Sequence, residues 1–137
     1  MKKSPFLVLL AFSVFLSSCG DSPESVAEDT TELYSEVVEI FKEFTESGDK
    51  DAAIEDLKDL EGEAGDLASR VKQLIEDEFE GDRAALAKKM EEFYDEHEDA
   101  EKVMKTFLQE GMKLQASGKE GAKEVYDTFK NLLKDLD

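Results

Sequence analysis

His97 is the only histidine of the chain and Cys19 its only cysteine, so any imidazole or thiol chemistry must be built around one of them. His97 lies seven residues from Met90 and seven from Met104. Seven residues of helix rise about 10.5 Å, so these three side chains share a face but cannot share an ion. Ferritin-like di-iron bundles need a Glu-x-x-His pair on each of two helices, and the residue three before His97 is Tyr94. Glu101, four residues on, offers one more ligand, and a weak two-ligand metal site at His97 and Glu101 is one reading. A second is pH sensing, since an imidazole titrates near pH ~6.5. The blander reading weighs most: a histidine at the edge of an apolar seam, hydrogen-bonded to a carboxylate or a tyrosine. Ser69 and Lys72 have the S-x-x-K spacing of serine acyl-enzymes, yet neither Ser-Asp-Asn nor Lys-Thr-Gly occurs. Asp49-Lys50-Asp51 opens like a calcium loop, but Ala53 and Ile54 stand where a ligand and a glycine are required. No catalytic residue, metal centre or cofactor is expected, and the chain reads as a non-enzyme.

Cys19 has a different chemistry. Lys2 and Lys3 form a positive start, residues 6–16 are an apolar run, and Ser17 and Ser18 supply small side chains beside the cysteine. At roughly 1.5 Å per residue this run spans about 16 Å as a helix, too short for a ~30 Å hydrocarbon core, so it reads as a removable leader. Leu16-Ser17-Ser18-Cys19 resembles the lipobox of bacterial lipoproteins. The resemblance implies that the thiol is alkylated by diacylglycerol, the leader is cut before Cys19, and the new amine is acylated, as by palmitate. Each buried methylene adds about 0.8 kcal/mol, so two or three acyl chains would hold the protein on a bilayer. It also implies a place in the cell envelope. Gly20 rather than an acid after the cysteine points to the periplasmic side of the outer membrane, with the inner membrane as the alternative.

Charge then limits the partners. Without the leader the chain carries 15 basic and 35 acidic residues, a formal charge of −20. Nucleic acids and anionic headgroups both need a basic footprint, and none exists here. The acid is uneven: residues 22–47 carry −7 and 49–80 carry −8, against −3 for 82–116 and −1 for 117–137. A solvated face is the simpler explanation of this first hairpin, and a docking face for a basic protein partner is the more specific one.

The elements that would position these groups all read as helix. Val26, Leu33, Val37, Ile40, Phe41 and Phe44 form one stripe, with Ser22 to cap it and Pro23 at the first turn. Ala53, Leu57, Leu60, Ala64, Leu67, Val71 and Leu74 alternate steps of four and three, a heptad seam across residues 50–80. Leu86, Met90, Phe93, His97, Ala100, Met104, Phe107, Gly111 and Leu114 continue the pattern in a third helix. Ala122, Tyr126, Phe129, Leu133 and Leu136 make a fourth. Glycines 48, 81 and 118 punctuate the series, Ser117 with Glu120 matches a capping box, and Gly62 and Gly65 suggest a bend.

The expected fold is all-α, an antiparallel up-down-up-down four-helix bundle over residues 23–137, preceded by a leader (1–18) and a lipidated tether (19–22). The turn sequences Gly48-Asp49-Lys50-Asp51-Ala52-Ala53 and Gly118-Lys119-Glu120-Gly121-Ala122-Lys123 resemble those of periplasmic four-helix b-type cytochromes. That resemblance implies architecture alone. The family takes its haem ligands from a Met early in the first helix and a His late in the last, and this chain has no Met between residues 20 and 89 and no His after 97. The expected function is a membrane-anchored module that binds or scaffolds protein. The alternative is a small-ligand or metal carrier, using a gap in the seam near Ala64, Ala68, Ala100 and Gly111.

Overall fold

In the computed structural model, residues 21–136 are described; the leader and Cys19 lie outside them. Six helices and no strand occur among the described residues: α1 Pro23–Ser47, α2 Lys50–Asp59, α3 Glu61–Phe79, α4 Arg83–Glu96, α5 Glu98–Ala116 and α6 Ala122–Leu133. None is long and apolar enough to cross a membrane. Four helices were expected, and the number differs because two of the expected segments are broken internally.

The first break is slight. Leu60 has helical angles (φ −84°, ψ −6°), and its N–H bonds back to Leu57 and Lys58 rather than a full turn. Ala64 N–H resumes the ladder onto Leu60 at 2.9 Å. One tightened turn is enough to end α2 and start α3 while Leu57, Leu60 and Ala64 all stay buried. The kink sits at Leu60; Gly62 and Gly65, where a bend was expected, lie inside α3. The second break falls on a single residue. His97 has extended angles (φ −122°, ψ 90°), ends α4 and begins α5.

The turns follow from capping chemistry. Ser22 and Ser25 cap each other at the start of α1, each side chain accepting from the other's backbone N–H at 3.1 and 3.0 Å. Asp49 and Asp82 accept from the N–H three residues on, at 3.1 and 3.2 Å. Gly48 closes α1 in the left-handed conformation (φ 69°) and bonds Phe44 O. The capping box expected of Ser117 and Glu120 does not form: α6 starts later, behind left-handed Gly121 with no side-chain cap, and Ser117 Oγ instead donates to Leu114 O at 2.8 Å.

α1 is the central element, packing against α2, α3, α4 and α5, while α6 lies on α2 and α5. That position requires apolar residues on more than one stripe, and α1 buries Val26, Ala27, Leu33, Val37, Val38, Ile40, Phe41 and Phe44. The main core gathers most of these with Leu57, Leu67, Leu74, Leu114, Val125 and Phe129. Phe41 meets Phe129 edge-on at 5.3 Å and Tyr34 meets Phe107 at 4.5 Å, pairings worth about 0.5–1.5 kcal/mol each beyond burial. A separate, smaller cluster of Ala27, Phe93 and Ala100 seats the end of α4 and the start of α5 on α1.

Candidate functional site: an acidic face and a histidine junction

The first turns of α1 and the middle of α3 bring together charges that the sequence leaves far apart. Arg70 Nη2 pairs with Asp21 at 2.7 Å, its Nε donates to the same oxygen at 2.9 Å, and Nη1 pairs with Asp29 at 2.6 Å. All three side chains are about three-quarters covered: 28% of Arg70, 24% of Asp21 and 25% of Asp29 remain exposed. Partial exclusion of water strengthens such charge-assisted bonds, and the guanidinium fork fixes their direction. The chain is thereby fastened to α3 two residues after Cys19. The sequence signal for this clamp was faint: one arginine in a stretch of twelve acids and three lysines.

Beside the clamp, Glu32, Glu36 and Glu63 crowd where α1 meets α3. Burial raises all three above the ordinary carboxyl value of 4.5, and like charge adds to it: Asp29, Glu63 and Glu28 act on Glu32, Glu32 acts on Glu36, and Glu36 and Asp29 act on Glu63. One oxygen of Glu32, Oε2, is buried without a hydrogen-bond partner. Sequence reasoning found the acidic hairpin but not this crowding, because it takes helix phase on two elements to set Glu63 against Glu32 and Glu36. Among the described residues no group of three or more His, Cys, Asp or Glu is disposed to hold a metal.

His97 is not on the core seam. It is exposed, at the junction of α4 and α5. Its ring stacks on Phe93 at 4.0 Å, and Nδ1 lies 2.7 Å from Phe93 O. A carbonyl only accepts, so Nδ1 carries the proton and donates. Phe93 O is the oxygen that the N–H of residue 97 would take in a continuous helix; here the imidazole occupies it, and the backbone N–H turns to Tyr94 O at 3.3 Å. The partner is thus a main-chain carbonyl rather than the expected carboxylate or tyrosine. Glu101 is paired with Lys105.

Two of the four residues named for a ligand gap are not neighbours. Ala64 belongs to the main core and Ala100 to the satellite cluster. Two surface clefts, of about 110 and 220 Å³, lie elsewhere: one between Ile40, Phe44 and Ala53, the other among Asp21, Gln73 and Asp77. Leu108 and Met112 stand on the outer face of α5, 61% and 71% exposed. Cys19 lies outside the described residues. No family pattern matches this sequence, no curated protein is significantly similar to it, and no solved structure matches its fold.

Proposed function

We propose that the chain is a lipoprotein of the cell envelope, anchored through acyl chains on Cys19, which uses the acidic face of α1–α3 to bind a basic protein partner. The observation that carries this reading is the crowding of Glu32, Glu36 and Glu63 at the α1–α3 contact, raised by burial and by one another. Charges kept where they oppose folding are more often met at sites of function than on an indifferent surface. A cationic partner would relieve that repulsion on binding.

The arrangement we infer is four antiparallel rods, α1, α2–α3, α4–α5 and α6. Arg70 late in the second rod meets Asp21 and Asp29 early in the first, and Lys50 at the start of the second meets Glu124 at the start of the fourth at 3.1 Å. On this reading the protein is neither an enzyme nor a nucleic-acid binder, and it takes no cofactor. The clamp at Asp21 would set the acidic end of the first hairpin next to the anchoring membrane. The outer membrane is preferred on Gly20, with the inner membrane as the alternative. A carrier of small ligands is the weaker reading, since Ala64 and Ala100 sit in different clusters.

The experiment has two parts. Labelled palmitate should enter the wild-type chain, whereas Cys19→Ser should lose both the label and the membrane fraction. Partners crosslinked in intact cells should disappear in Glu32→Gln/Glu36→Gln/Glu63→Gln and be released by high salt. Retained label in Cys19→Ser would overturn the anchor, and an unchanged partner set in the triple variant would overturn the docking face.

A further inference from the structure

Charged residues recur at steps of seven on both sides of the groove between α1 and the rod α2–α3. On α1 they are Asp29, Glu36 and Glu43; on the rod they are Asp56 and Glu63, with Arg70 at the next step. The structure sets these two rows face to face, running in opposite directions. Glu43 and Asp56 line one cleft, Glu36 acts on Glu63 as a like charge, and Asp29 pairs with Arg70 at 2.6 Å. One step further on, Asp77 lines the second cleft with Asp21. The groove is thus crossed by four rungs, each about 10.5 Å from the next. Arg70 fills one of them. Among the described residues, no cation pairs with Glu36, Glu43, Asp56, Glu63 or Asp77. Between the charged rims the floor is apolar: Ile40, Phe44 and Ala53 in the first cleft, Leu74 in the second.

From these observations we propose that the groove receives a helix of the basic partner, with Arg or Lys at positions 1, 8 and 22 of its contact face and no cation at position 15. The inference rests on the acidic-face reading and adds to it the shape and charge spacing of what binds.

The spacing selects a helix. A helix laid along the groove returns the same face every seven residues, about 10.5 Å on, which is the distance between rungs. An extended strand returns the same face every second residue, about 6.8 or 13.6 Å on, and is out of step at the first rung. A basic helix also has an apolar side to lay on the floor between its charges, which a free polyvalent cation lacks. Position 15 faces Arg70. That guanidinium already bridges Asp29 and Asp21, at 2.6 and 2.7 Å, and shows within this molecule how a cation satisfies a rung. A second cation there would meet like charge.

The test titrates fluorescent 22-residue peptides, built on an alanine–glutamine background with blocked ends, into the full chain at low salt. The first peptide has arginine at positions 1, 8 and 22. The second has the same composition with its arginines at 6, 11 and 16, steps of five that spread them round the helix. The third adds arginine at position 15 to the first. The first should bind at least tenfold tighter than the second and gain helicity on binding, and the third should bind no tighter than the first despite its extra charge. Glu43→Gln with Asp56→Asn empties one rung and should weaken the first peptide about tenfold while changing the second little; circular dichroism and melting establish that the variant is folded. Equal binding of the first two peptides overturns the proposal and leaves the acidic face as a general attractor of cations. Tighter binding of the third overturns the place given to Arg70. Failure of all three to bind, while crosslinked partners are still lost from Glu32→Gln/Glu36→Gln/Glu63→Gln, overturns the helix but keeps the docking face; partners that persist in that triple variant overturn both.

Discussion

Arg70 holds two carboxylates at once, and this makes it the most consequential charged residue among the described residues. Its desolvation opposes the ionised state, but hydrogen bonds to Asp21 and Asp29 outweigh that and raise its pKa further. Arg70→Ala removes the cation and leaves both acids partly covered beside the crowded glutamates. A fully buried pair broken in this way costs about 3–5 kcal/mol and an exposed one about 0–1, so three-quarters coverage places the loss near ~2 kcal/mol. Urea unfolding of the variant checks it; a midpoint equal to wild type would mean that the clamp is ornamental. Lys50 offers the contrast. Its bond to Glu124 raises its pKa, but the pair is open to water, and Lys50→Ala should leave the midpoint unchanged by the same measurement.

Glycine has opposite roles at the level of single elements. Gly62 and Gly65 lie within α3, and a Cβ on either would meet nothing within 4 Å. Each exposes backbone and adds disorder to the unfolded chain without being needed, so Gly65→Ala should stabilise the protein by about 1 kcal/mol, read as a raised melting temperature. Gly121 starts α6 at φ 86°, and a Cβ there would approach Lys50 Cδ to 2.7 Å. Gly121→Ala should therefore cost about 1–2 kcal/mol, or more if Lys50 cannot swing aside. The same contrast explains what the sequence disclosed. The turns at Gly48 and Gly81 were legible, because glycine beside Asp49 or Asp82 has a distinct capping chemistry. So were the first two seams: every residue named on the α1 stripe and on the seam from Ala53 to Leu74 is buried. The breaks at Leu60 and His97 were not. At Leu60 a single tightened turn keeps the seam in phase, and at His97 a side chain takes a backbone partner, an event that no periodicity records. The Arg70 clamp and the glutamate crowd were hidden for a related reason, since each joins α1 to α3 across roughly thirty to fifty residues.

Across the whole molecule the dominant quantity is a formal charge of −18, and its consequence is a stability that depends on pH in a definite direction. Glu32, Glu36 and Glu63 have folded pKa values above 4.5. Above the raised values all three are ionised both folded and unfolded, and the folded state bears the full cost of crowding. Below the unfolded value they are protonated in both states and that cost is gone. Between the two the folded molecule binds more protons, so stability must rise as pH falls from neutral toward 5. Each group keeps part of its surface in water, so screening keeps the combined gain to the order of 1 kcal/mol, or roughly 4 °C in melting temperature for a chain of this size. General repulsion among the surface acids acts in the same direction, and salt separates the two causes. At about 0.5 M salt, long-range repulsion between exposed charges is largely screened, whereas a partly buried crowd persists. Melting at pH 7 and pH 5 in high salt should therefore still show the rise, and Glu36→Gln with Glu63→Gln should flatten it by stabilising the protein at pH 7 alone. If the rise vanishes in high salt while the double variant behaves as wild type, the acids at the α1–α3 contact are an ordinary solvated surface, and the docking face loses the observation on which it rests.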